Sequence, residues 1–345
     1  MDQKVIANIR ILVVDDNIVN AMVLSAMIEH YGIKTDTAES GMEAIEKVCG
    51  THYDIVLMDY IMPDMDGVET TKQIMFVSED RKKPKVVGVS ATVDEEVTNL
   101  FISAGADCVL RKPVRTEDFE MKLEEYGFMK EGTDSSEGDD EENINSVEFL
   151  SRVEGLNYEE GISLMAGNLE SYMKVLNVSV GNVSENYNKL DVIRNTDHMD
   201  IMKLHFHSLK GIFLNIGATI LADNSKMLEM AARDCDIAYI HANIDEYMDS
   251  VKKIHDQLDD VCKYYKTKTN TNKTFVKMEE SEFEQKLDKL KESIENFEYI
   301  EITDLLDEML AGSDARYTEK LESINSFIQN FQYDEAMEVL TTMYN

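Results

Sequence analysis

The sequence predicts a multidomain chain: an α/β domain of (βα)5 type with a parallel five-stranded sheet, then an all-α four-helix bundle, then a further helical segment. Three observations carry this. Short apolar runs alternate with helical patterns over roughly the first third of the chain, only helical spacing remains beyond residue 157, and a stretch with almost nothing to bury separates the two regimes. Strands alternating with helices imply parallel β/α units, and strands apolar on both faces imply a sheet covered on both sides.

In order, strands are predicted at Ile9–Val14, 34–38, Tyr53–Met58, Val86–Val89 and Cys108–Leu110, with helices at 18–30, 41–49, 67–77, 94–104 and 116–126. Polar residues follow four of these strands: Asp15, Asp16 and Asn17, then Asp59, then Ser90 and Ala91, then Lys112 and Pro113. In a parallel α/β sheet the ligand site collects at the carboxyl ends of the strands, so these residues are expected in one place. Three converging carboxylates repel unless a hard dication joins them, and oxygen ligands of this kind suit Mg²⁺. Pro113 disfavours helix at Lys112 and keeps that lysine in a loop.

The motifs ILVVDDN, IVLMDYIMPDMDG, VVGVSAT and RKP, in that order over residues 1–128, resemble a response-regulator receiver domain. The resemblance implies a flavodoxin-like fold in which Asp59 is the nucleophile that becomes an acyl phosphate. It further implies that Asp16 ligates Mg²⁺ directly, Asp15 mostly through water, and the Ile61 carbonyl supplies another ligand. Lys112 would hold the phosphoryl oxygens and Ser90 would hydrogen-bond one of them. Phosphoryl transfer through a loose transition state asks the protein mainly for positioning and charge neutralisation, which these residue types supply. The chain departs from the receiver pattern at Val109, three residues before Lys112, where many receivers carry an aromatic switch residue.

Residues 129–146, which include KEGTDSSEGDDEENIN, are read as an acidic flexible linker. Such a tether has ends on the order of 20 Å apart and raises the local concentration of one module near the other.

Residues 147–266 hold helical patterns at 157–180, around His207, at about 218–232 and at about 237–264, spaced as four packed helices require. Within HFHSLKGIFLNIGA, His207, Lys210 and Gly211 stand at i, i+3 and i+4, so an imidazole, an ammonium and a bare backbone patch share one face. His205, two residues away, falls on another face. An imidazole can carry a phosphoryl group on a ring nitrogen, an ammonium can balance the added charge, and glycine admits a partner's backbone. HSLKGIFLNIGA, with NYEEGISLMAGNLESYMKVLNVSV upstream, resembles the histidine phosphotransfer (HPt) domain, which implies that His207 is the phosphoacceptor. Phe213 and Leu214 depart from that family, where small residues are common.

Residues 267–345 open on a polar break, TKTNTNK at 267–273, and continue in amphipathic stretches at 278–297, 300–311, 318–331 and in the closing YDEAMEVLTTMYN. No chemistry is visible there. A separate small module, packing on the bundle and homodimerisation all fit the pattern.

Composition narrows the function classes. A net charge of −34, from 34 basic and 68 acidic residues spread along the chain, leaves no face to track a phosphate backbone, so nucleic acid is excluded as a partner. Neither a signal segment nor an apolar run long enough to span a bilayer occurs. The four cysteines are far apart, which suits a reducing cytoplasm and no zinc or disulfide framework. Neither a phosphate-cradling glycine loop nor the boxes of a kinase ATP domain is present.

The expected function is therefore that of a phosphorelay intermediate with Mg²⁺ as cofactor. It takes phosphoryl groups from an upstream histidine kinase at Asp59, exchanges them with His207 of the same chain or of a partner, and serves a downstream response regulator receiver. The alternatives are a phosphorylation-gated dimerisation or docking regulator whose helical tail is the output, and the C-terminal part of a hybrid sensor kinase. Docking is expected to set Ile18, Val19 and Met22 at the start of the first receiver helix, next to Asn17, against the face bearing His207 and Gly211.

Overall fold

The computed structural model describes residues 4–6, 9–78, 81–131, 147–196, 198–272, 278, 280–295, 299–312, 315–329 and 332–344. The chain divides into two compact units, residues 1–258 and 259–345.

The first unit opens with β1 (Lys4–Ile6), β2 (Arg10–Val14), α1 (Ile18–Glu29), β3 (Lys34–Ala38), α2 (Gly41–Gly50), β4 (Ile55–Asp59), α3 (Gly67–Val77), β5 (Lys85–Ser90), α4 (Glu95–Ala104), β6 (Cys108–Arg111), α5 (Thr116–Glu125) and β7 (Met129–Glu131). Strands β2 to β6 form one parallel sheet in the order β3-β2-β4-β5-β6, the doubly wound arrangement that the alternating pattern predicts. Each strand feeds two cores. Along β2, Ile11 and Val13 pack with Leu24, Ile28, Phe119 and Leu123 of α1 and α5, whereas Leu12 and Val14 pack with Val48, Ile74 and Phe101 of α2, α3 and α4. Both faces of every central strand are thus apolar, which is why these strands read as continuous apolar runs.

The α/β domain does not stop at residue 128: Met129–Glu131 pairs antiparallel with Lys4–Ile6, and Met129 is buried in the α1–α5 core. These strands are three residues each, too short to show a period. The acidic linker expected next falls, over residues 132–146, outside the described residues.

The same unit continues with a 3₁₀ turn (Glu148–Arg152), α6 (Tyr158–Ser163), α7 (Leu169–Ile193), α8 (Met199–Ile216), α9 (Thr219–Arg233) and the start of α10 (Ile237–Asn272). Helices α8 and α9 form a hairpin, and α7 lies along α8. Phe206 of α8 packs edge-on to Tyr247 of α10, whose hydroxyl shares a 2.7 Å hydrogen bond with Ser225 of α9. The hairpin turns at Gly217, whose φ of +84° favours glycine and whose absent Cβ would sit 2.1 Å from the Asn157 carbonyl oxygen. Tyr172 of α7 donates its hydroxyl to the Ile216 carbonyl, so the LNIGA end of α8 is held from α6 and α7 together.

The polar break expected at 267–273 is not a break through Asn272, because α10 runs that far. Once a helix is nucleated, each added residue costs little. Thr267 donates its hydroxyl back to the Lys263 carbonyl and the Lys268 ammonium lies over the Tyr264 ring, so local partners replace the missing apolar face. In the second unit, α11 (Glu280–Glu295), α12 (Tyr299–Gly312), α13 (Ala315–Gln329) and α14 (Tyr333–Thr341) bury stripes that include Leu287, Leu290, Leu306, Met309, Leu321, Ile324 and Leu340. Phe283 stacks on Tyr317 at 4.3 Å between ring centroids.

Candidate functional site

Parallel register brings the strand ends together. Val14 of β2 pairs with Met58 of β4, Asp59 with Val89 of β5, and Ser90 with Arg111 of β6. The residues that follow are thereby neighbours: Asp15 reaches Asp59, and Lys112 sits beside Ser90, whose carbonyl accepts the Lys112 backbone N–H. Carboxylate oxygens of Asp15, Asp16 and Asp59 lie within 4.8 Å of one another. Asp15 and Asp59 are buried and Asp16 is at the rim.

The Lys112 ammonium stands 2.5 Å from Asp15 and 2.7 Å from Asp59. Burial alone would lower the lysine's pKa; its two carboxylate partners reverse that and hold it above its ordinary value. For Asp59, burial and then the charge of Asp15 raise the pKa to about 7 against the pull of Lys112. Shielding of its carboxyl and then Asp15 raise Asp16 to about 6. One ammonium therefore does not balance three carboxylates.

An all-oxygen donor set with residual negative charge fits a hard dication of the Mg²⁺ kind. Ile61, two residues beyond β4, lies in the loop bordering the cluster with its side chain 46% exposed. Ser90 is buried, and its Oγ accepts the Thr92 N–H at 3.3 Å. Gly67 is obligatory in this frame: a Cβ there would lie 1.8 Å from the Asp59 carbonyl oxygen. Val109, at the switch position, is partly buried against the α2–α4 core.

On α8, Met202, Phe206, Leu209, Ile212 and Phe213 are buried, which leaves His207 on a flank with 27% of its side chain exposed. Its Nδ1 is 2.6 Å from Glu229 Oε1 of α9. The other oxygen, Oε2, accepts from the Lys210 ammonium at 2.6 Å. Burial alone would raise Glu229, but His207 and Lys210 outweigh it and hold the carboxyl down to about 2. Lys210 is buried and engaged by Glu229, so it is less free than its sequence position suggests. With Nδ1 engaged, Nε2 is the ring nitrogen left to react. His205 does fall on another face, with its Nδ1 3.0 Å from Asn186 Oδ1 on α7, and burial lowers its pKa.

The two groups of residues are adjacent. Helix α1 packs on α7 and α8. Asn17 donates to Ser208 Oγ at 3.1 Å, and Asn215 donates to Asn20 Oδ1 at 2.7 Å. A Cβ on Gly211 would lie 3.2 Å from Asn20 Oδ1, so glycine is what allows this approach. Ile18, Val19 and Met22 are all buried.

Sequence reasoning missed Glu229, Asn20 and Ser208. A signal existed for the first: a hairpin folded at Gly217 sets residues about equally far from the turn face to face, and His207 and Glu229 are ten before and twelve after it.

Residues 11–124 match the model of the response regulator receiver domain. The chain is 34% identical over 118 residues to two-component response regulator 24 of Arabidopsis thaliana, covering 34% of this chain and 83% of that one. It is 38% identical over 120 residues to the autoinducer 2 sensor kinase/phosphatase LuxQ of Vibrio cholerae, covering 34% of this chain and 14% of that one. In the Vibrio harveyi LuxQ the matched share is 12% of its length. Among solved structures, the chemotaxis protein CheY4 of Vibrio cholerae aligns with a TM-score of 0.33 and 26% identity, over 35% of this chain and 99% of that one. Among the described residues no helix is long and apolar enough to cross a membrane. With an aspartate cluster at the ends of a parallel sheet and a regulator matched over most of its length, the chain belongs to the response regulator receiver family of two-component signalling.

Proposed function

We propose that the chain is an intermediate of a multistep His–Asp phosphorelay, in which Asp59 and His207 exchange a phosphoryl group. The observation that carries this is the juxtaposition of α1, at the mouth of the aspartate cluster, with the α8 face that bears Ser208, Gly211 and Asn215. Helices α7 to α10 then constitute an HPt bundle, and an upstream histidine kinase and a downstream receiver are its partners.

A carboxylate oxygen of Asp59 attacks the phosphorus of a phosphohistidine, the P–N bond breaks, and the nitrogen keeps the electron pair. In the onward step Nε2 of His207 attacks that phosphorus and the P–O bond to Asp59 breaks, returning the carboxylate. Lys112 neutralises phosphoryl oxygens and the Ser90 hydroxyl donates to one of them. Glu229 holds the Nδ1 proton and balances the ring's positive charge. Mg²⁺ held by Asp15, Asp16, Asp59 and the Ile61 carbonyl supplies further charge neutralisation when bound.

The test is labelling by acetyl phosphate with Mg²⁺ in wild type, Asp59→Asn and His207→Gln, followed by intact mass and by the lability of the label. A base-labile label that needs Asp59 and an acid-labile one that needs both residues are expected. A label confined to Asp59 in the wild type would remove the internal exchange and favour a phosphorylation-gated docking module.

A further inference from the structure

Two asparagines at the start of α1, the capping Asn17 and Asn20 in its first turn, have the polarity of their amides set from inside the receiver. Asn17 Oδ1 accepts the Val19 N–H at 3.0 Å and caps the helix, so its Nδ2 faces α8 and donates to Ser208 Oγ. Asn20 Nδ2 donates to Asp15 Oδ1 at 2.8 Å. An ionised carboxylate offers only acceptors. Turning the Asn20 amide over would set its carbonyl against a carboxylate that already accepts from Asn17 N–H and from Lys112. Asn20 therefore turns its Oδ1 acceptor to Asn215, with one of its two amide N–H groups held by Asp15.

The partner positions meet these demands unequally. Ser208 can donate or accept, and it also takes the Asn186 amide at 3.4 Å, so the Asn17 contact tolerates either polarity. Asn215 is 6% exposed and donates to Asn20, so the second contact has no solvent to replace a wrong partner. Gly211 lies between them on the same stripe of α8.

We propose that Asn20 is a specificity-determining residue: the receiver selects a docking helix that carries a hydrogen-bond donor eight positions after its histidine, with a hydroxyl one position after it as an adaptable second contact. Asp15 thus writes the polarity of the docking surface as well as belonging to the acidic cluster. The partner this surface fits is a helix with histidine, hydroxyl, glycine and amide at the spacing of His207, Ser208, Gly211 and Asn215. That the docking serves phosphoryl exchange rests on the function proposed above; the polarity rule itself does not.

The experiment compares full-length wild type with Asn215→Asp, Asn215→Ala and Asn215→Gln, by hydrogen–deuterium exchange of peptides from α1 and α8 and by transfer from Asp59 to His207. Asp has the size of Asn but opposes acceptor to acceptor, so Asn215→Asp should speed exchange in α1 roughly tenfold, with Ala intermediate and Gln nearest to wild type. Transfer should slow in the same order. Peptides from α9 report whether the bundle itself stays folded. Exchange in α1 ordered by side-chain size, with Gln worse than Asp, would overturn the proposal, as would Asp matching Ala. Absence of a His207 label in the wild type would instead remove the phosphorelay reading, while the exchange order would still decide the role of Asn20.

Discussion

Glu229 decides which nitrogen of His207 is available and what charge surrounds it. Replacing it by Ala frees the ring to rotate and leaves Lys210 buried without its carboxylate, so labelling of His207 should slow on the order of a hundredfold while Asp59 labelling is unchanged. Single-turnover transfer measures this. The stability consequence has a definite sign. Glu229 is held at about 2 in the folded chain against 4.5 as its ordinary value, so its stabilisation is present above pH 4.5 and lost as pH falls toward 2. Denaturant unfolding of wild type and Glu229→Gln should therefore differ by about 1 kcal/mol at pH 6–7, with the difference shrinking below pH 4.5 and vanishing only toward pH 2. Asp15, Asp16, Asp59, Ser90 and Lys112 could be singled out in the sequence because each follows an apolar run, and a parallel sheet gathers such ends. Glu229 could not: it stands among Asp223, Lys226 and Arg233 in an ordinary charged helix, and only the fold at Gly217 brings it to His207.

At the scale of elements, the parallel sheet brings Asp15, Asp16 and Asp59 together, and their mutual repulsion makes the strand ends a place where protons and a dication compete. Asp16, at the rim, is raised to about 6 by shielding of its carboxyl and by Asp15, and the buried Asp59 to about 7 by burial and by Asp15. Below those values protons occupy oxygens that a metal would use, so Mg²⁺ affinity should fall as pH goes from 8 to 5.5, about tenfold per proton displaced and per pH unit. The Mg²⁺ concentration needed for half of the rise in melting temperature measures it. Gly67, at the start of α3, abuts the end of β4, and Gly67→Ala would force a Cβ onto the Asp59 carbonyl. That change should cost about 1–3 kcal/mol and impair Asp59 labelling, because backbone rather than a side chain must move. The five sheet strands and their helices were legible because each shows several residues of its period. β1 and β7 were not, since strands of three residues show none. The extension of α10 to Asn272 escaped because its local contacts, Thr267 to Lys263 and Lys268 over Tyr264, leave no apolar stripe.

At the scale of the whole molecule, the proposed labelling of Asp59 needs only the receiver, whereas the proposed exchange with His207 needs α1 and α8 to stay in contact. Gly211 separates the two requirements. It sits at the contact, where a Cβ would already crowd Asn20 at 3.2 Å, yet as an α8 residue outside the buried stripe it contributes little to the packing among the helices. An arginine there adds bulk that the α1 contact has no room for, and it can extend into solvent only if α1 withdraws. Gly211→Arg should therefore keep Asp59 labelling by acetyl phosphate within about twofold of wild type and lower the acid-labile His207 label at least about a hundredfold. Deuterium uptake should rise in peptides from α1 while those from α9 stay protected. An unchanged His207 label in that variant would mean that the histidine is reached by another route than the face on which α1 lies.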